Sequence, residues 1–128
     1  MAMEPERIEV TLLPGPDDPP VRDTVYQREL RELEDSFRQH GIKAGSLVEL
    51  RKSAGGESVH LGQFFLPLVA TLGSIAGAAI GAWVQAKYGR RVRVKMGDIE
   101  VEARTIEEVQ DLLKRAQKLH QKEPRIIP

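Results

Sequence analysis

The sequence predicts an α+β fold: a small mixed sheet built from a β-α-β unit, then a long apolar helix, a β-hairpin and a last helix. Apolar and polar residues alternate over 8–12 and 92–103, which is the two-residue period of half-buried strands. Apolar residues recur every three or four positions over 26–37 and 106–119, as on one face of a helix. The uncharged run 61–86 lies between these patterns and predicts a further, fully apolar helix.

The N-terminal unit is predicted to be a strand, a helix and a second strand. The proline-rich residues 14–20 end the first strand. Asp23 or Thr24 caps a helix that continues to about His40, and Gly41 ends it. Residues 47–51 predict the second strand, which a flexible link follows. The helix is expected to bury one stripe, formed by Tyr26, Leu30, Leu33 and Phe37.

The segment 61–88 is predicted to be an apolar helix and is a candidate membrane segment. With Pro67 in the first turn, 68–88 would form about 32 Å of helix, and a bilayer core is roughly 30 Å thick. Basic residues at its C-terminal end favour a cytoplasmic location for that end, but the charged N-terminal part carries no export signal. A helix lying on a membrane or buried in the domain therefore stays open. The candidate interface residues are Phe64, Phe65, Trp83, Lys87, Tyr88, Arg90 and Arg91.

Small residues line one side of this segment, where Gly73, Gly77 and Gly81 recur every four positions. Glycine at this spacing lets another helix approach to backbone contact, and in membranes it forms a recurrent association face. Each glycine costs about 1 kcal/mol relative to alanine in a helix, which favours a ridge that is used. The ridge either serves association with other helices or membrane insertion, or it lets this helix lie flat on the sheet of its own domain. The candidate association face is Ala70, Gly73, Ser74, Gly77, Ala78 and Gly81.

The C-terminal third is predicted to be a hairpin followed by an amphipathic helix. Gly97 and Asp98 form a two-residue turn signal between the two strands. Basic residues of the first strand and glutamates of the second would pair on its exposed face. Thr105 and Glu108 form a capping box that begins the last helix.

Composition argues against several classes of function. The chain fits one domain, 1–128, with a tail at 122–128. Nineteen basic residues balance nineteen acidic ones, so we expect no nucleic acid partner. The absence of cysteine fits a cytoplasmic protein. The histidines, at 40, 60 and 120, are far apart in sequence and are predicted to lie on the surface. With no nucleophile elbow or phosphate loop, we expect no enzyme activity, metal, cofactor or small-molecule substrate.

Several short motifs follow one another in the second half of the chain. A small-residue apolar segment ends in Trp83, Arg90-Arg91-Val92-Arg93-Val94 follows, and Gly97-Asp98 leads to Glu100-Val101-Glu102-Ala103. After a β-α-β start, this order resembles the bacterial effector-associated constant component family over residues 7–120. Members are small non-catalytic proteins encoded beside diverse effectors in bacterial conflict and immunity systems. The resemblance implies an effector protein as partner and brings no catalytic residues.

Two functions are therefore expected from the sequence. In the first, the chain is an adaptor or assembly component of a bacterial defence system that binds an effector encoded nearby and forms a homo-oligomer. In the second, its glycine-ridged helix oligomerises and inserts in a membrane. The expected location is the cytoplasm, with the inner membrane as a site of attachment.

Overall fold

Five strands and three helices form the part of the chain that the computed structural model describes, which is residues 7–50, 58–68 and 72–122. In chain order these elements are β1 (Arg7–Leu13), α1 (Thr24–Gln39), β2 (Gly45–Leu50), β3 (Ser58–Pro67), a π-helical turn (Leu72–Ala76), α2 (Gly77–Ala86), β4 (Arg91–Met96), β5 (Ile99–Ala103) and α3 (Ile106–Lys122).

The strands form one sheet in the order β2-β3-β1-β4-β5, and every neighbouring pair is antiparallel. The α+β class is confirmed, but the predicted mixed sheet is wrong. Each of the first two helices connects strands that have another strand between them: β3 separates β1 from β2, and β1 separates β3 from β4. The elements from β1 to β4 thus have the βαββαβ order of a ferredoxin-like fold. β5 and α3 extend it at the β4 edge.

The core lies between one face of this sheet and the helices. Val10 of β1 pairs with Phe64 on one side and Val94 on the other, so these three buried side chains form a row across the sheet. The predicted α1 stripe is confirmed, since all four of its members are buried. Phe37 of this stripe meets Phe64 edge to face, with ring centroids 5.3 Å apart.

The predicted long apolar helix is wrong, because residues 61–67 belong to β3 and the α-helical part of the segment is only Gly77–Ala86. β3 is an inner strand between β2 and β1. Phe64 and Leu66 are buried on the face of the sheet that the helices cover. Leu61 and Phe65 are partly covered on the opposite face, called the open face below. Because both faces carry uncharged side chains, the two-residue period of the strand is hidden in the sequence.

Local signals elsewhere are confirmed by the structure. Asp23 caps α1, since its side chain accepts a hydrogen bond from the backbone N–H of Val25 (2.8 Å). At α3, the hydroxyl oxygen of Thr105 accepts from the N–H of Glu108 (3.0 Å), and the carboxylate of Glu108 accepts from the N–H of Arg104 (2.7 Å). The hairpin β4–β5 turns at Gly97, whose φ of +60° suits glycine.

Candidate functional site

The glycine ridge faces α3 of the same chain. A Cβ built on Gly81 would lie 2.7 Å from the Cα of Ile106, and one on Gly77 would lie 3.0 Å from the Cα of Gln110. Gly73 meets Lys114 in the same way. The partners on α3 are four residues apart and run in the opposite direction, so α2 with its preceding turn and α3 form an antiparallel pair at backbone contact. The alternative in which the ridge packs inside the domain is the one present in this structure, although the surface it covers is a helix.

Two other members of the candidate association face, Ser74 and Ala78, are exposed and do not share this contact surface. Ala70 lies outside the described residues. The five described members of the set therefore do not lie on one face.

The seven candidate membrane-interface residues are dispersed. Phe64 and Trp83 are in the core, Phe65 lies half-buried on the open face of the sheet, and Tyr88 is exposed. The basic residues differ as well, since Lys87 and Arg91 are partly exposed whereas Arg90 is buried. Within 7–50, 58–68 and 72–122, no helix is both long and apolar enough to cross a membrane.

Arg90 is the centre of a buried ion cluster. Its guanidinium donates two hydrogen bonds to Asp18 (2.9 and 2.8 Å) and one to Glu29 (2.7 Å). A further hydrogen bond reaches the carbonyl oxygen of Trp83 (2.9 Å), whose ring lies 4.1 Å from the guanidinium carbon. The Arg90 side chain is only 1% exposed. The cluster therefore joins the proline-rich loop, α1 and the segment between α2 and β4.

The electrostatics of this cluster favour its charged form. The hydrogen bond with Arg90 lowers the pKa of Asp18 below its ordinary value of 3.8, against the opposing effect of burial. The backbone N–H of Gly15 also donates to Asp18 (2.8 Å). A carboxylate and a guanidinium that satisfy each other inside the protein hold their elements in place but do not form an acid-base pair for catalysis.

The prediction that all three histidines lie on the surface is wrong for His60, which is 4% exposed. Its Nδ1 accepts from the N–H of Gly62 (2.9 Å), so Nε2 carries the proton, and Nε2 has no hydrogen-bond partner among the described residues. The side chain of Gln27 pairs with the backbone N–H and carbonyl of His60 (both 2.9 Å). Burial lowers the pKa of His60 below its ordinary 6.5. In the described part of the chain, no group of three or more potential ligands is placed to hold a metal ion.

The edge strand β5 carries exposed apolar side chains. Ile99 and Val101 expose 54% and 40% of their surfaces. They border a cavity of about 200 Å³ between β5 and α3, which Leu112 of α3 also lines. β5 pairs with β4 on one side only, so its other side is unpaired within the described residues. The other residues that line this cavity are Val94, Met96, Arg115 and Ala116.

The fold and this edge define the class of the molecule as a ferredoxin-like α+β domain with an added edge strand and helix. No family model, curated protein or solved structure matches the chain. Sequence reasoning placed Ile99 and Val101 in a hairpin but did not identify them as an exposed surface. The sequence predicts that α3 follows the hairpin, but it does not indicate that α3 leaves Ile99 and Val101 uncovered.

Proposed function

We propose that the chain is a non-catalytic adaptor or assembly component of a bacterial defence system, and that it binds an effector protein by accepting one strand of it on β5. The observation that carries the proposal is the unpaired edge of β5, with Ile99 and Val101 exposed beside a cavity. An unpaired strand is a template for an extended segment of a second protein. The resemblance of residues 7–120 to effector-associated components supports an effector as that protein.

Charge on the open face indicates which strand β5 would accept. β4 presents Arg93, which lies 3.2 Å from Glu102 and 3.9 Å from Glu100 of β5. An added strand would place its side chains beside these glutamates, and the pairing is favourable when those side chains are lysine or arginine. The partner strand is therefore expected to alternate basic residues on the open face with apolar residues that fill the cavity beside α3.

A second copy of the chain fits this edge less well. If two β5 strands paired with their helices on the same side of a shared sheet, Glu100 and Glu102 would face the same glutamates of the other copy. Like charges directly opposite each other destabilise a strand pair. We therefore propose that the effector occupies β5, and that homo-oligomers use another surface.

Co-expression tests the proposal. The chain is produced with the protein encoded beside it, and the complex is measured for the wild type, for Val101→Glu and for Val25→Glu. Val25 is a matched control, because it is 49% exposed on α1, far from β5 in the topology. Val101→Glu is expected to weaken binding by about tenfold or more, as for a central apolar contact, and Val25→Glu to leave binding unchanged.

Hydrogen exchange of the complex gives a second measurement. Amides of β5 that are unpaired in the free chain should be protected when the partner strand is added. A complex that survives Val101→Glu and leaves β5 exchange unchanged would refute strand addition at this edge.

A further inference from the structure

A cavity lined by basic residues lies where α2 ends and α3 begins. It has a volume of about 460 Å³, within the range of small-molecule sites. None of its lining residues carries a carboxylate and four are basic. They are Val84, Gln85, Lys87, Tyr88, Gly89, Arg90, Arg91 and Arg104. We propose that this cavity binds a phosphate-bearing ligand with a planar ring, such as a nucleotide.

Of the four cations, Arg104 has no acidic partner among the described residues, and Lys87 and Arg91 are held only in loose ion pairs. Arg90 is engaged in its buried cluster, but Lys87 lies 3.6 Å from Asp18 and Arg91 lies 3.6 Å from Glu102. Both separations exceed the usual length of a hydrogen bond between charged groups. The guanidinium of Arg104 has no acidic partner among the described residues, whereas its backbone N–H is held by the α3 cap. Arginine forks match the oxygens of a phosphate in pairs.

Tyr88 supplies the surface for the ring. Its side chain is 85% exposed, yet its backbone is held tightly against the proline-rich loop. A Cβ added to Gly15 would collide with the carbonyl oxygen of Tyr88, and one added to Gly89 would collide with Pro16. Gly89 also has a φ of +83°, which favours glycine. An aromatic ring presented to solvent from a fixed turn, beside cations, is suited to stack on a planar ligand.

The proposal concerns binding and assigns no reaction to the site. The cavity shares no lining residue with the groove beside β5. The proposal therefore stands apart from effector binding, and Val101→Glu should leave it unaffected.

Titration calorimetry with AMP, adenosine and inorganic phosphate tests the site. AMP should bind more tightly than either fragment, because it combines the phosphate with the ring. Arg104→Gln and Tyr88→Ala should each weaken AMP binding by about tenfold, through loss of a charged hydrogen bond and of ring stacking respectively. Arg28→Gln is the control, since Arg28 is an exposed residue of α1 outside the cavity.

The substituted side chains lie on the surface, so the thermal midpoints of these variants should match the wild type and exclude loss of folding as the cause. Absence of AMP binding at millimolar concentration overturns the proposal. So does equal affinity for AMP and inorganic phosphate, which would leave the ring without a role. A loss in Arg28→Gln as large as in Arg104→Gln would also overturn it, because binding would then reflect general charge.

Discussion

Replacing Gly81 with alanine tests the backbone contact between α2 and α3. The new Cβ would lie 2.7 Å from the Cα and 2.9 Å from the Cγ1 of Ile106. The nearest atom belongs to the backbone, so a change of rotamer cannot relieve the overlap and the helices must separate. Overpacking of this kind costs about 1–3 kcal/mol, and alanine returns up to about 1 kcal/mol of helix propensity. With the full gain in propensity, we expect the free energy of unfolding to fall by about 0–2 kcal/mol.

The same reasoning ranks the other two glycines. Gly77→Ala would place its Cβ 2.9 Å from the Cγ of Gln110 and 3.0 Å from its Cα, a slightly looser contact. Gly73→Ala meets mainly the side chain of Lys114, which can turn aside, and its Cβ would lie 3.3 Å from the Cα of that residue. The expected order of destabilisation is therefore Gly81, then Gly77, then Gly73.

Urea denaturation and sedimentation together measure this prediction. The first gives the free energy of unfolding and the second the oligomeric state, with Ala82→Ser as control because Ala82 is exposed on α2. The control should stay within about 0.5 kcal/mol of the wild type. A gain of about 1 kcal/mol for Gly81→Ala would mean that propensity acts alone and the helices are not in contact. A change in association at constant monomer stability would place the ridge between copies instead.

Two further predictions concern buried charge. Burial lowers the pKa of His60, so its contribution to stability is complete above pH 6.5 and is lost as pH falls through its lowered pKa. The urea midpoint of the wild type should therefore fall with pH in this range, and His60→Asn should reduce that dependence. His40→Asn, at an exposed site, should keep it. An unchanged slope in His60→Asn would assign the effect to another group. Asp18→Asn should cost up to about 3 kcal/mol at neutral pH, because Arg90 then keeps only Glu29 as a charged partner. Asp35→Asn, in an exposed pair with Arg38, should cost about 0–1 kcal/mol. The loss should shrink as pH falls below 3.8 and disappear only below the lowered pKa of Asp18, where the wild-type carboxyl is also neutral. A loss that persists there would reflect packing.

The elements that the sequence predicted correctly are those with complete local signals. α1 has a cap at Asp23, a stripe at helical spacing and a stop at Gly41, all within one segment. The β4–β5 hairpin has its turn and its alternation within twelve residues of sequence. Such signals need no knowledge of distant partners, so reading them from the sequence is reliable.

The elements that the sequence misplaced depend on distant partners. β3 has uncharged residues on both faces because it lies between two other strands, and its neighbours β1 and β2 could not be identified from its own residues. The Arg90 cluster brings together Asp18, Glu29 and Trp83. Nothing in the local sequence distinguishes Arg90 from Arg91, which stays partly exposed. For the glycine ridge, the spacing predicted a close approach, but only the fold shows that α3 makes it.

The glycine ridge and the open β5 edge are connected through the position of α3. Because Gly77 and Gly81 allow backbone contact, α3 packs mainly on α2 and makes only slight contact with β5. Its contact with β4 is equally slight, and Ile99 and Val101 lie beside an open groove. A bulkier ridge would push α3 away from α2 and toward the edge of the sheet, narrowing that groove. Three residues without side chains, which cost helix stability in isolation, thus help to keep the surface proposed for partner binding uncovered.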